Sequence, residues 1–187
     1  MTVVAKQPQH TQKIPFDNVL LDRLMDEAGI DVLLATSKHN VQYLLGGHRA
    51  FFFDYMDAMG LSRYLPIVLY PKGAPEKAGF FGHRLEGFQR ENKPFWTPET
   101  QTSASGSVDV MQKATDYLRK SGVSARRIGV EMAFLPWDSG TALRKAYPDS
   151  ELKDALFVLE RLRARKTPEE LAKLKIDPEW LEPLNDT

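Results

Sequence analysis

Between Phe16 and Ala28 the apolar residues fall at Phe16, Val19, Leu20, Leu24 and Ala28. That is the one-sided spacing of an amphipathic helix, and Gly29 is placed to stop it. The run IDVLLAT that follows is apolar through its centre, which suits a strand buried on both faces. Ser37 is placed to cap a short helix over KHNVQYLLG, and Gly46-Gly47 to end it. The chain thus opens helix, strand, helix, joined by connections of the length that α/β units use.

The next stretch, HRAFFFDYMDAMGLSRY, is dense in aromatics and has no clean period. LPIVLYP reads as a buried strand closed by Pro71, KGAPE as a turn, and KAGFFG as a neighbouring strand. HRLEGFQREN reads as a short helix and PFWTP as an extended piece. TQTSASGS reads as a polar linker whose last serine caps the helix VDVMQKATDYLRKSG. RRIGVEM is a further buried strand, followed by a helix that starts near Pro136 or Trp137 and ends before Pro148. SELKDA then leads into the final helices. Strands alternating with helices predict an α/β fold, with a central mixed, mainly parallel sheet flanked by helices on both faces. There is no internal repeat and no low-complexity tract.

Composition narrows the function classes. The 187 residues suit one domain with a helical appendage. Twenty-five basic residues balance twenty-five acidic ones, so no net charge draws the chain to nucleic acid or to an anionic membrane. There is no cysteine; this excludes disulfides, thiol nucleophiles and thiolate metal sites, and fits a reducing cytoplasm. No apolar run approaches the roughly 20 residues that span a bilayer. Residues 1–14 read as a flexible polar leader without the apolar core of a secretory signal.

The candidate chemistry is sparse. His39, His48 and His83 lie far apart and lack the spacing of a helical zinc site, and His10 falls in the leader. SASGS lacks the strand-turn-helix setting of a nucleophilic serine. Gly46-Gly47 match no phosphate-binding pattern. Asp54, Asp57, Glu131 and Asp138 show no spacing that forces a pair together. The exception is the aromatic stretch, where Phe51, Phe52, Phe53, Tyr55, Met56 and Met59 either complete the core or form an apolar patch for association or for walling a ligand. Arg49 and Arg63 flank it, and arginine beside aromatics suits a carboxylate ligand or an interface.

Three segments carry a resemblance. LMDEAGIDVLLATSKHNVQYLLG holds Gly-Ile-Asp before a strand, then a serine turn and Asn-x-x-Tyr-Leu-x-Gly. RRIGVEMAFLPWDSGTALRKAYPDSELKDA holds an Ile-Gly-Val-Glu strand, a helix and a proline-containing turn. LERLRARKTPEELAKLK holds Leu-Arg-x-x-Lys-Thr-x-x-Glu-Leu. In this order, from Phe16 to Lys175, the chain resembles the N-terminal domain of the creatinase, prolidase and aminopeptidase P family.

The resemblance implies a creatinase N-terminal, ribonuclease H-like architecture over residues 15–155. It also implies a helical linker over 156–175, leading to a catalytic domain, and a tail over 176–187. In the family that catalytic domain binds two divalent metal ions through two Asp, one His and two Glu. It would begin after Lys175, where IDPEWLEPLNDT stands instead, so no catalytic residue, metal ligand or cofactor is carried over. The expected role is non-catalytic, in dimerisation and in shaping substrate access. The alternatives are a stand-alone binding domain for a carboxylate or amidino ligand, and a partner of a separately encoded catalytic chain. By the same resemblance Arg63 would contact substrate in the neighbouring subunit, with His48, Arg49 and Phe53 beside it. In the linker, Thr167 is placed to cap a helix, with Pro168 at its first position and Glu170 completing a capping box. Arg161, Arg163, Arg165 and Lys166 are placed to complement the preceding helix's dipole.

Overall fold

The computed structural model describes residues 13–48, 64–87, 95–166 and 171. Helix α1 (Asn18–Glu27) is capped by Asp17, whose side chain accepts from Leu20 N at 2.9 Å. It ends in a Schellman turn: Ile30 N donates to Met25 O, Gly29 N donates to Asp26 O, and Gly29 sits at φ 63°. Strand β1 (Val32–Ala35) follows. Helix α2 (Lys38–Leu44), capped by Ser37 as the sequence predicts, stops in a second Schellman turn at Gly46 and Gly47.

Strands β2 (Ile67–Pro71) and β3 (Gly79–His83) come next, with 3-10 turns at Pro75–Lys77 and Arg84–Glu86. They are followed by β4 (Glu99–Ala104), helix α3 (Ser107–Ser121), β5 (Arg127–Val130), helix α4 (Trp137–Ala146), β6 (Glu151–Asp154) and helix α5 (Leu156–Ala164). Among the described residues they form one six-stranded sheet in the order β4-β3-β2-β1-β5-β6. The β1–β5, β3–β4 and β5–β6 pairs are parallel, and β1–β2 and β2–β3 are antiparallel.

The sheet is buried on both faces because successive strand side chains alternate between two cores. Leu33, Ala35, Val68 and Tyr70 face α1, α2 and α5, whereas Val32, Leu34, Ile67 and Leu69 face α3 and α4. Helix α5, assigned by sequence to the linker, buries Val158, Leu159 and Leu162 in the first of these cores.

Two strands correct the sequence reading. The polar linker TQTSASGS contributes most of β4, and SELKDA contains β6. Both lie at the sheet's edges, where polar side chains are tolerated, so neither shows the apolar run that marks β1, β2 and β5. Ser107 is also not the cap of α3. Gly106 takes that position without a side-chain bond, and the Ser107 hydroxyl donates to Asp138 Oδ2 on α4 at 2.6 Å. The helix predicted over 83–92 is, in its described part, the single 3-10 turn Arg84–Glu86. The leader to residue 12, the stretch 88–94, the capping residues Thr167, Pro168 and Glu170, and the tail lie outside the described residues.

Candidate functional site

Strands β1 and β5 run parallel in register, Leu34 opposite Val130, so both carboxyl ends open on the same tip of the sheet. Glu131, the first residue beyond β5, has no solvent exposure. Its Oε2 accepts from Thr36 N at 2.6 Å and from Ser37 N at 2.8 Å, in the turn leaving β1, and its Oε1 accepts from Asn40 Nδ2 at 2.6 Å. Arg163 Nη1 of α5 donates to Asn40 Oδ1 at 3.3 Å. Asn40, Glu131 and Arg163 come one from each of the three segments that carry the resemblance. With three donors around it, Glu131 acts as a buried fastening for main chain and amide rather than as a base open to substrate.

The arginines of α5 also do more than complement its dipole. Arg161 Nη1 donates to Glu27 Oε2 of α1 at 2.7 Å. Helix α5 is therefore fixed at two points, on α1 and on α2.

The second cluster lies at the roots of the aromatic stretch. Glu86 is fully buried. Tyr64 donates its hydroxyl to Glu86 Oε1 at 3.2 Å, and His48 Nε2 lies 3.7 Å from Oε2. That distance is beyond a hydrogen bond; the contact becomes an ion pair when the imidazole is protonated. The His48 ring packs edge-on against Phe95 at 4.7 Å. Burial, then the Glu86 charge and the shared hydrogen bond, hold the Tyr64 hydroxyl well above the usual phenol range. Tyr64 therefore stays a donor and Glu86 its acceptor. Burial, then the Arg84 charge, hold His83 below the usual imidazole value, against an opposing pull from Glu86.

Of the residues singled out by sequence, the structure places His48 here. Arg49, Phe53 and Arg63 lie outside the described residues, although Arg49 adjoins His48 and Arg63 adjoins Tyr64 in the chain. Glu86 and Tyr64 were not foreseen. Glu86 sits between exposed Arg84 and Leu85 on one side and Gly87 on the other, a setting that reads as solvated helix. Asp138 is held below the usual carboxylate range, first by its hydrogen bond from Ser107, and His39 joins neither cluster. No group of three His, Asp or Glu side chains among the described residues is arranged to hold a metal ion. No helix there is long and apolar enough to cross a membrane. Neither buried carboxylate is open to solvent.

Comparison with known proteins follows the same outline. Residues 20–165 match the Creatinase/Prolidase N-terminal domain family. The fold is similar to the Xaa-Pro dipeptidase from Bacillus anthracis (TM-score 0.61, 23% identity), over 84% of this chain and 38% of that one. It is similar to a proline dipeptidase from Streptococcus pneumoniae TIGR4 (TM-score 0.60, 16% identity), over 81% of this chain and 99% of that one. It is also similar to the N-terminal domain of the cytoplasmic peptidase PepQ from Mycobacterium tuberculosis H37Rv (TM-score 0.55, 19% identity), over 78% and 97%. At these identities the likeness establishes the fold. The chain thus spans little more than a third of the Bacillus anthracis protein. No curated protein matches it.

Proposed function

Because the chain belongs to the creatinase/prolidase N-terminal domain family, we propose that it serves as the non-catalytic domain of a creatinase- or Xaa-Pro-peptidase-like metallohydrolase. Its roles in this reading are dimerisation and the shaping of substrate access, in the cytoplasm. The relatives described as an Xaa-Pro dipeptidase and a proline dipeptidase suggest the substrate class.

The observation that carries this reading is the convergence of His48 and Tyr64 on Glu86. It brings His48 and Tyr64, which flank residues 49–63 in the sequence, to one point of the fold. That segment contains Phe51, Phe52, Phe53 and Tyr55, with Arg49 and Arg63 at its ends. A segment of this composition suits contact with a second subunit, where aromatic rings supply apolar area and arginine recognises a carboxylate.

The two divalent ions of the parent reaction, which would polarise the scissile carbonyl and activate a water, belong in this reading to a catalytic domain. The described residues here offer no matching ligand set. The purified chain supplied with Mn²⁺, Zn²⁺ or Co²⁺ is therefore expected to leave an Xaa-Pro dipeptide intact. Stoichiometric metal uptake with hydrolysis would overturn the assignment.

The two arginines beside His48 and Tyr64 in the sequence also favour a second reading, a stand-alone domain binding a small carboxylate or amidino ligand. Thermal stabilisation by such a ligand, abolished in Arg63→Ala, would select it. Co-purification with a separately encoded catalytic chain would instead mark a partner subunit.

A further inference from the structure

Beyond β5 the chain turns through Met132–Trp137 into α4 with much apolar surface uncovered. Met132 and Phe134 are each 51% exposed and Trp137 is 90% exposed. Single exposed apolar residues are ordinary. Here, however, Met132 and Trp137 border a groove of about 660 Å³, lined on its apolar side by Val130 and Leu135 as well. Arg144 and Lys145, both exposed, form its basic side. An indole left open over an apolar groove is the kind of feature that a docking partner covers.

We propose that this groove receives the chain's own C-terminal segment, residues 176–187, IDPEWLEPLNDT. Charge complementarity is the first argument. The segment carries Asp177, Glu179, Glu182 and Asp186 with no basic residue, and it would meet Arg144 and Lys145. Arg144 spends one donor on the Ser150 carbonyl at 2.8 Å, and a guanidinium has others to offer. Trp180, Leu181 and Leu184 supply the apolar side chains that the groove would accept.

Placement is the second argument. Arg163 bonds Asn40 and Asn40 bonds Glu131, and Glu131 is the chain neighbour of Met132. Helix α5 therefore ends beside the tip that carries the groove. The residues from Ala164 to Trp180, fully extended, span roughly 50 Å, so reach does not limit the docking. The docked segment covers Trp137 and withholds this face from other chains.

Trp137 itself reports the contact. In the full chain with Trp180→Phe, the remaining indoles are Trp137 and Trp96, and Trp96 is 9% exposed with Nε1 bonded to the Leu44 carbonyl. Docking predicts weak acrylamide quenching of both. Reversing the groove charges with Arg144→Glu and Lys145→Glu should raise Trp137 quenching several-fold, and so should Glu179→Lys with Glu182→Lys. Combining the two reversals should restore protection. Free quenching of Trp137 at native charge would overturn the proposal. Protection that depends on protein concentration would overturn it as well, in favour of a second copy on this face. Protection insensitive to the tail reversals would do the same.

Discussion

Arg163 donates to the side-chain carbonyl of Asn40 at 3.3 Å, across 123 positions of sequence. Through the Asn40 amide the contact continues to Glu131 at 2.6 Å. This relay fixes where α5 leaves the sheet, and so where any following chain begins. Glu131→Ala would strip the acceptor from two buried backbone N–H groups and one amide, at a cost of about 3 kcal/mol. Glu131→Gln would keep the shape but set an amide against the Asn40 amide, and should lose less. Asn40→Ala and Arg163→Ala, combined in a double-mutant cycle by urea unfolding, should show a coupling of about 0.5–1 kcal/mol.

Glu86 offers a second test, independent of the first. Tyr64→Phe would leave Glu86 Oε1 buried without its hydroxyl donor and should cost about 1–3 kcal/mol. Glu86→Ala removes the common point for His48 and Tyr64. Limited trypsin digestion should then cut faster at Arg49 and Arg63, with cleavage elsewhere in the chain unchanged.

The acid limb of stability is expected to report Asp31. Its carboxylate accepts from Arg127 Nη2 at 2.6 Å and from Arg127 N at 3.0 Å. The side-chain bond to Arg127, ahead of its other interactions, holds Asp31 below the usual carboxylate range. A group depressed in the folded state contributes fully above its unfolded value, about 3.9. That contribution is lost as pH falls through the lower folded value. Stability measured between pH 5 and pH 2, taken as round bounds about that value, should therefore fall less steeply in Asp31→Asn than in the parent.

Gly129 tests why the β5 motif needs a glycine. A Cβ there would lie 2.9 Å from Ile30 Cδ1 and Cγ2 and 3.1 Å from Ala155 Cβ. Gly129→Ala should therefore overpack the first core by about 1–3 kcal/mol. A midpoint lowered in urea with an unchanged slope is the expected result.

These relationships show how far the sequence alone could be read. Strands β1, β2 and β5 are buried on both faces and appear as apolar runs. Helix α1 shows in its apolar spacing and its Gly29 stop, and helix α2 announces both ends through Ser37 and Gly46-Gly47, whereas the Asp17 cap of α1 emerged only in the structure. Strands β4 and β6 do not, because an edge strand half open to solvent keeps residues such as Thr100, Gln101 and Lys153. The meeting of Asn40, Glu131 and Arg163 was hidden although each lay in a recognised segment, since nothing local encodes contacts across 91 and 123 positions. Glu86 was hidden by inversion: Leu85 is 53% exposed while the neighbouring carboxylate is fully buried. Binary patterning assigns those two residues the opposite way.

The most direct test of the proposed role is the mass of the purified chain in solution, measured by sedimentation equilibrium over a range of concentrations. A domain that mediates dimerisation should approach twice the chain mass as concentration rises, and Phe51→Ser with Phe52→Ser should return it to the single-chain mass. A single-chain mass at every concentration would contradict the account.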